Sequence, residues 1–75
     1  MTSRNEVLDV RGMEPPEPLE RVLSTIGDFR PGDTLKVLIN CEPRPLFRIL
    51  KANGYGWRVE PGADSAFEIT IWTPG

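Results

Sequence analysis

Apolar positions along this 75-residue chain alternate with polar ones in some stretches and recur at helical spacing in others. Glu6 to Val10 alternates, with Leu8 and Val10 on one face, and predicts a short strand. Arg11-Gly12 then turns the chain. From Pro16 the period lengthens: Leu19, Val22, Leu23 and Ile26 fall at i, i+3, i+4 and i+7, the stripe of one helix, which Gly27 ends. Arg30-Pro31-Gly32-Asp33 is a turn. Thr34 to Asn40 is the most apolar strand, with Leu35, Val37 and Ile39 on one face and Leu38 on the other. After Cys41-Glu42-Pro43-Arg44-Pro45, the residues Leu46, Ile49 and Leu50 repeat the helix stripe until Asn53-Gly54 closes it. Tyr55, Trp57 and Val59 alternate with Gly56, Arg58 and Glu60. Pro61 to Asp64 makes a hairpin loop, and Phe67, Ile69 and Ile71 alternate with Glu68, Thr70 and Trp72.

The order β-α-β-α-β-β predicts an α+β fold, a two-layer sandwich with both helices on one face of a mixed four-stranded sheet. Right-handed crossovers make the first two strands parallel, and the closing hairpin is antiparallel. The other sheet face is left open. Residues 1–75 form a single domain with an ordered core from about 6 to 73, preceded by a loose polar start over residues 1 to 5.

Composition narrows the function classes. Apolar residues make up 39% of the chain and charged ones 27%, which describes a globular domain and not a disordered tail. A net charge of −2 with dispersed Arg and Lys gives no footprint for nucleic acid. No apolar run approaches the roughly 20 residues of a membrane span, and no signal-peptide pattern opens the chain. A single cysteine forms no internal disulfide, so a reducing, cytoplasmic setting is expected. With no histidine, zinc, haem and Ser-His chemistry lose their commonest participant, so neither a cofactor, a metal nor an enzymatic activity is expected.

One segment is used twice. Pro16-Glu17-Pro18-Leu19-Glu20-Arg21-Val22-Leu23 and Pro43-Arg44-Pro45-Leu46-Phe47-Arg48-Ile49-Leu50 share the pattern P-x-P-L-x-R-[V/I]-L, each after a strand and at the start of a helix. Proline fixes φ near the helical value and lacks the N–H that the first turn leaves unpaired. It also biases the residue before it to extended geometry. Each copy is therefore an abrupt strand-to-helix switch. Two helix starts side by side concentrate backbone donors, which suits an anion or a thiolate. Against that, Glu14, Glu17 and Glu42 already occupy the positive ends, and two firmly stopped helix starts are the simpler account of the pattern.

Residues 8 to 18, Leu-Asp-Val-Arg-Gly-Met-Glu-Pro-Pro-Glu-Pro, resemble the signature L-D-x-R-G-L-x-C-P-x-P of the TusA (SirA-like) sulfur-carrier family. The likeness extends through Pro31-Gly32-Asp33-Thr34-Leu35-Lys36-Val37, matching P-G-[D/E]-x-L-x-V, and covers nearly all of residues 7 to 73. It implies sheet order 1-2-4-3, as in the C-terminal domain of translation initiation factor three. The family's persulfide-carrying cysteine falls on Pro15, which has no nucleophile. Leu8, Asp9, Arg11, Gly12, Pro16 and Pro18 carry over as scaffold. Glu42-Pro43-Arg44-Pro45-Leu46 is closer still to a cysteine-less branch of this superfamily, a domain of unknown function. Members of that branch occur alone or beside hemerythrin-like domains, some with genes of nitrogen-oxide metabolism.

The resulting expectation is a small non-catalytic domain that docks another protein. Its candidate binding residues are Arg11, Glu14, Pro15, Cys41, Arg44 and Trp72. Arg11 and Arg44 flank the helix starts and either hold an anionic group or pair with Asp9, Glu14, Glu17 or Glu42. Trp72 falls with Leu38 and Val7 on the open face, where it either anchors a partner or a second copy of the chain, or is one exposed apolar residue near the chain end. The alternative function is a sulfur carrier or thiol relay using Cys41. The repeat sets Cys41 in the position of Glu14, and the plainer reading of it is a half-buried residue ending a strand.

Overall fold

The computed structural model describes residues 3–73. Its elements are β1 (Asn5–Asp9), α1 (Glu17–Ile26), β2 (Thr34–Ile39), α2 (Arg44–Ala52), β3 (Gly56–Pro61) and β4 (Phe67–Trp72), with a short 3-10 turn at Ala63–Ser65. The sheet order is β1-β2-β4-β3, with β1 parallel to β2 and both β2–β4 and β3–β4 antiparallel. The alternating and helical periods thus sort into the expected sandwich, with strand ends shifted by about one residue.

The first strand starts earlier than the polar composition suggests. Asn5 is paired with Thr34, and Arg4 is tied down on both sides. Its N–H donates to Asp33 Oδ1 at 2.9 Å, its carbonyl accepts from Thr34 N–H at 2.8 Å, and its guanidinium lies 5.1 Å from the Phe29 ring centre. The loose start expected over residues 1 to 5 therefore does not include Arg4 and Asn5, and Met1 and Thr2 lie outside the described residues.

The core sits between the helices and the inner sheet face. Leu35, Val37 and Ile39 of β2 and Ile69 and Ile71 of β4 meet Val22 and Ile26 of α1 and Leu46 and Leu50 of α2. Phe47 joins them from outside the predicted stripe: its ring stacks on Trp57, centroids 5.5 Å apart and planes within 8°. Trp57 and Phe67 are half-buried against this core.

Asp33 closes the Pro31-Gly32 turn from inside. Only 4% exposed, its carboxylate accepts Arg4 N–H on Oδ1 and Arg30 N–H on Oδ2, the latter at 2.8 Å. Those two backbone bonds, Arg30 first, hold its pKa below the ordinary value, so Asp33 stabilises the fold above the unfolded pKa of about 4. That contribution is lost as pH falls through the lower folded value. Asn at this site offers one acceptor where two donors converge, so Asp33→Asn should lower the urea midpoint at neutral pH, with the deficit narrowing below about pH 4. A deficit that stays constant from neutral to acid pH would show that the ionised carboxylate is not what holds the turn.

The open face is laid out in rows by the strand register. Asn5, Thr34, Trp72 and Gly56 form one row, Val7, Lys36, Thr70 and Arg58 the next, and Asp9, Leu38, Glu68 and Glu60 the third. Trp72 and Leu38 are thus at opposite ends, separated by the row of Lys36 and Thr70, and Lys36 pairs with Glu68 at 3.5 Å. No continuous Trp-Leu patch forms. The Trp72 indole instead lies over the bare backbone of Gly56, its cross-strand neighbour.

Candidate functional site

The two proline switches come together at one end of the sheet. Parallel β1 and β2 deliver both following loops to the same edge. There Val10 N–H donates to Leu38 O at 2.9 Å and Gly12 N–H to Asn40 Oδ1 at 2.8 Å. Gly12 takes φ +81, a left-handed conformation that suits glycine and lets the chain double back after β1. The helices then start alike, with Pro16 and Pro43 at the N-cap and Pro18 and Pro45 one residue past N1. The Pro15–Pro16 peptide bond is cis.

These helix ends offer few free donors. Glu17 N–H bonds Glu14 O and Glu20 N–H bonds Pro16 O. At α2, Arg44, Leu46 and Phe47 N–H groups bond Glu42 or Pro43 carbonyls, while Pro18 and Pro45 have no N–H. The proline pairs have closed the first turns on themselves, so little of the anion-binding capacity of a helix start is left.

What the switches do build is an apolar groove of about 300 Å³. Its walls are Pro15, Pro16 and Pro18 on one side and Pro43 and Pro45 on the other. Ile39 and Leu46, both buried, form its floor with Leu19. Cys41 and Glu42 complete the lining, and the Cys41 thiol is free and exposed, not half-buried. Pro15 and Cys41 therefore border one cavity although they stand on different loops.

The other candidates lie around this corner or away from it. Arg11 grips Asp9 with two bonds, Nε to Oδ1 at 2.9 Å and NH2 to Oδ2 at 2.8 Å, and adds its backbone N–H to Oδ1 at 3.0 Å. The Arg11 side-chain bonds, then its backbone bond, lower the Asp9 pKa to about 2. Arg44 is 84% exposed and reaches Glu42 at 3.5 Å. Pro15 is exposed on the groove wall, and Glu14 before it is exposed but outside the lining. Trp72 is remote from it, on the row of Thr34 and Gly56 on the open face. Sequence reasoning missed Asn40, whose role depends on a partner across the sheet edge. It also missed the groove itself, because proline spacing announces a helix start but not the gap between two of them. Among the described residues no group of three or more Cys, Asp or Glu side chains is placed to hold a metal ion, and no helix is long and apolar enough to cross a membrane.

A family profile described as "Uncharacterized conserved protein (DUF2249)" matches residues 7–73. The crystal structure of a SirA-like protein from Desulfitobacterium hafniense superposes with a TM-score of 0.82 at 19% identity, over 93% of this chain and 99% of that one. At that identity the likeness is one of fold. No protein of curated function matches the chain. The chain belongs to the DUF2249 family of uncharacterised conserved proteins, and its fold is SirA-like.

Proposed function

We propose that this chain is a non-catalytic protein-binding domain whose docking site is the proline-walled groove between the two helix starts. The observation that carries the reading is the groove itself. Five prolines, a buried floor and two firmly closed helix ends make a rigid apolar recess with little free hydrogen-bonding capacity. A recess of this kind suits an apolar anchor side chain, and its rigidity means that little ordering entropy is lost when one binds. Pro15 stands where the sulfur-carrier signature that residues 8 to 18 resemble has its cysteine, which leaves shape, and not chemistry, as what this corner offers there.

The test is affinity capture from the cells that express the protein, with wild type and Pro45→Lys side by side. Pro45 is exposed at the second helical position, so lysine there places a charge in the groove without opening the core. A discrete, saturable partner retained by wild type and lost by Pro45→Lys is the expected result. Retention of the same partner by both, or only non-specific proteins in either, would remove the groove as the docking site.

The exposure of Cys41 within the groove favours a second reading, a sulfur relay. In it the Cys41 thiolate takes the terminal sulfur of a donor persulfide and the donor thiolate leaves. Mass spectrometry after incubation with a cysteine desulfurase and cysteine would then show an adduct of about 32 Da on Cys41, one sulfur atom. An unmodified Cys41 under conditions that load a known carrier would end this reading.

A further inference from the structure

The outward surface of the helical layer is divided by charge along the groove. On one side Glu14, Glu17 and Glu20 lead into and along α1, where the one cation, Arg21, is paired with Glu17 at 3.3 Å. On the other, α2 carries Arg44, Arg48 and Lys51 and no acidic residue of its own, and Arg44 is paired at 3.5 Å with Glu42, the one acidic residue that precedes the helix and lines the groove. Glu14, Glu20, Arg48 and Lys51 are exposed, and none of them enters an ion pair among the described residues. Free carboxylates therefore stand on and just before one helix and free cations on the other, outside the lining of the recess between them. The helices start at the same sheet edge, and Glu20 and Arg48 lie at nearly the same depth, the fourth and fifth residues of their helices.

We infer that a second copy of this chain docks on this surface about a two-fold axis running along the groove. Such an axis lays α1 of each copy over α2 of its partner, so each acidic side meets a basic one. A two-fold interface must be self-complementary, and an apolar strip between an acidic and a basic border has that property. It also has the apolar centre and polar rim of a protein interface. An axis across the groove would instead set α1 on α1 and glutamate against glutamate, which like-charge repulsion opposes. The charge division thus selects one orientation. The inference rests on the reading of the groove as a protein-docking surface and names one occupant for it.

Analytical ultracentrifugation of the full chain at low salt tests it, at up to about 1 mM protein so that a Kd at or below that value is read directly. The wild type should dimerise with concentration, and added salt should weaken the dimer. Glu20→Lys and Arg48→Glu should each raise Kd on the order of tenfold, because the symmetry alters two contacts at once. The double variant, which exchanges the charges, should recover most of the lost association, and circular dichroism checks that each variant is folded. A monomeric wild type would overturn the inference. So would a dimer indifferent to salt and to both substitutions, or a folded double variant that stays as weak as the singles. A monomer that still captures a partner lost in Pro45→Lys would remove the self-pairing alone. A chain that does neither would remove the docking reading with it.

Discussion

Leu46→Ala should lose about 2–5 kcal/mol of folding stability, the range for truncating a buried leucine. For a chain this small that is a large share of a typical total of about 5–15 kcal/mol. Leu46 is 1% exposed, belongs to the main core and forms part of the groove floor. Its backbone N–H also closes the first turn of α2 on Pro43 O at 3.0 Å. Alanine keeps that bond and the helix propensity but empties space between α2 and the sheet. Chemical denaturation should show a lower midpoint with little change in slope, and the near-ultraviolet signal of Trp57 should change through the neighbouring Phe47 stack. A loss under about 1 kcal/mol would mean that the helix start collapses onto the sheet without Leu46, and that the groove floor is not built as described.

Gly56→Ala should be the most damaging single-methyl insertion, with an expected loss of about 1–3 kcal/mol from overpacking. A Cβ at Gly56 would lie 2.3 Å from the Trp72 indole, closer than any real contact. The backbone cannot move apart to relieve the clash, because β4 is held on both sides by β2 and β3, so the indole must leave its place over residue 56. Pairing the substitution with Trp72→Ala separates the clash from the intrinsic cost of alanine. In that background the second substitution should be nearly neutral, and the coupling between the two should exceed about 0.5 kcal/mol. Simple additivity would show that Trp72 does not cover Gly56. This cross-strand pair also changes the meaning of Trp72, 39% exposed. Much of its ring already has a partner within the sheet.

Much of the fold was legible because two periods carry it. Leu35-Val37-Ile39 and Phe67-Ile69-Ile71 alternate cleanly, and Val22-Ile26 and Leu46-Leu50 repeat at one helical turn. Adding a parallel first pair and a closing hairpin then leaves few topologies. What escaped was what depends on residues far apart in the chain. Asp33 reads locally as part of a turn, yet one of its bonds reaches Arg4, so the strand start at Asn5 could not be seen from residues 1 to 5. Phe47 sits off the leucine stripe and is drawn inward by Trp57 on the next strand. The site was half legible. The repeated P-x-P-L located both corners, and the parallel strands put them at one edge. The spacing left open an anion site or two plain helix starts, and the bonds of the first turns show donors already used and an apolar recess in their place.

The measurement that tests the docking claim most directly compares two positions of one photo-cross-linker. In a Cys41→Ser background, a single thiol is introduced as Glu14→Cys, the residue before the groove-lining Pro15, or as Lys36→Cys in the middle of the open sheet face, both exposed sites. The predicted result is a discrete cross-linked partner from the Glu14 position and none from the Lys36 position, with the first product lost when Pro45→Lys is added. Cross-linking from the sheet face and not from the groove would contradict the account and assign the partner to the opposite side of the molecule.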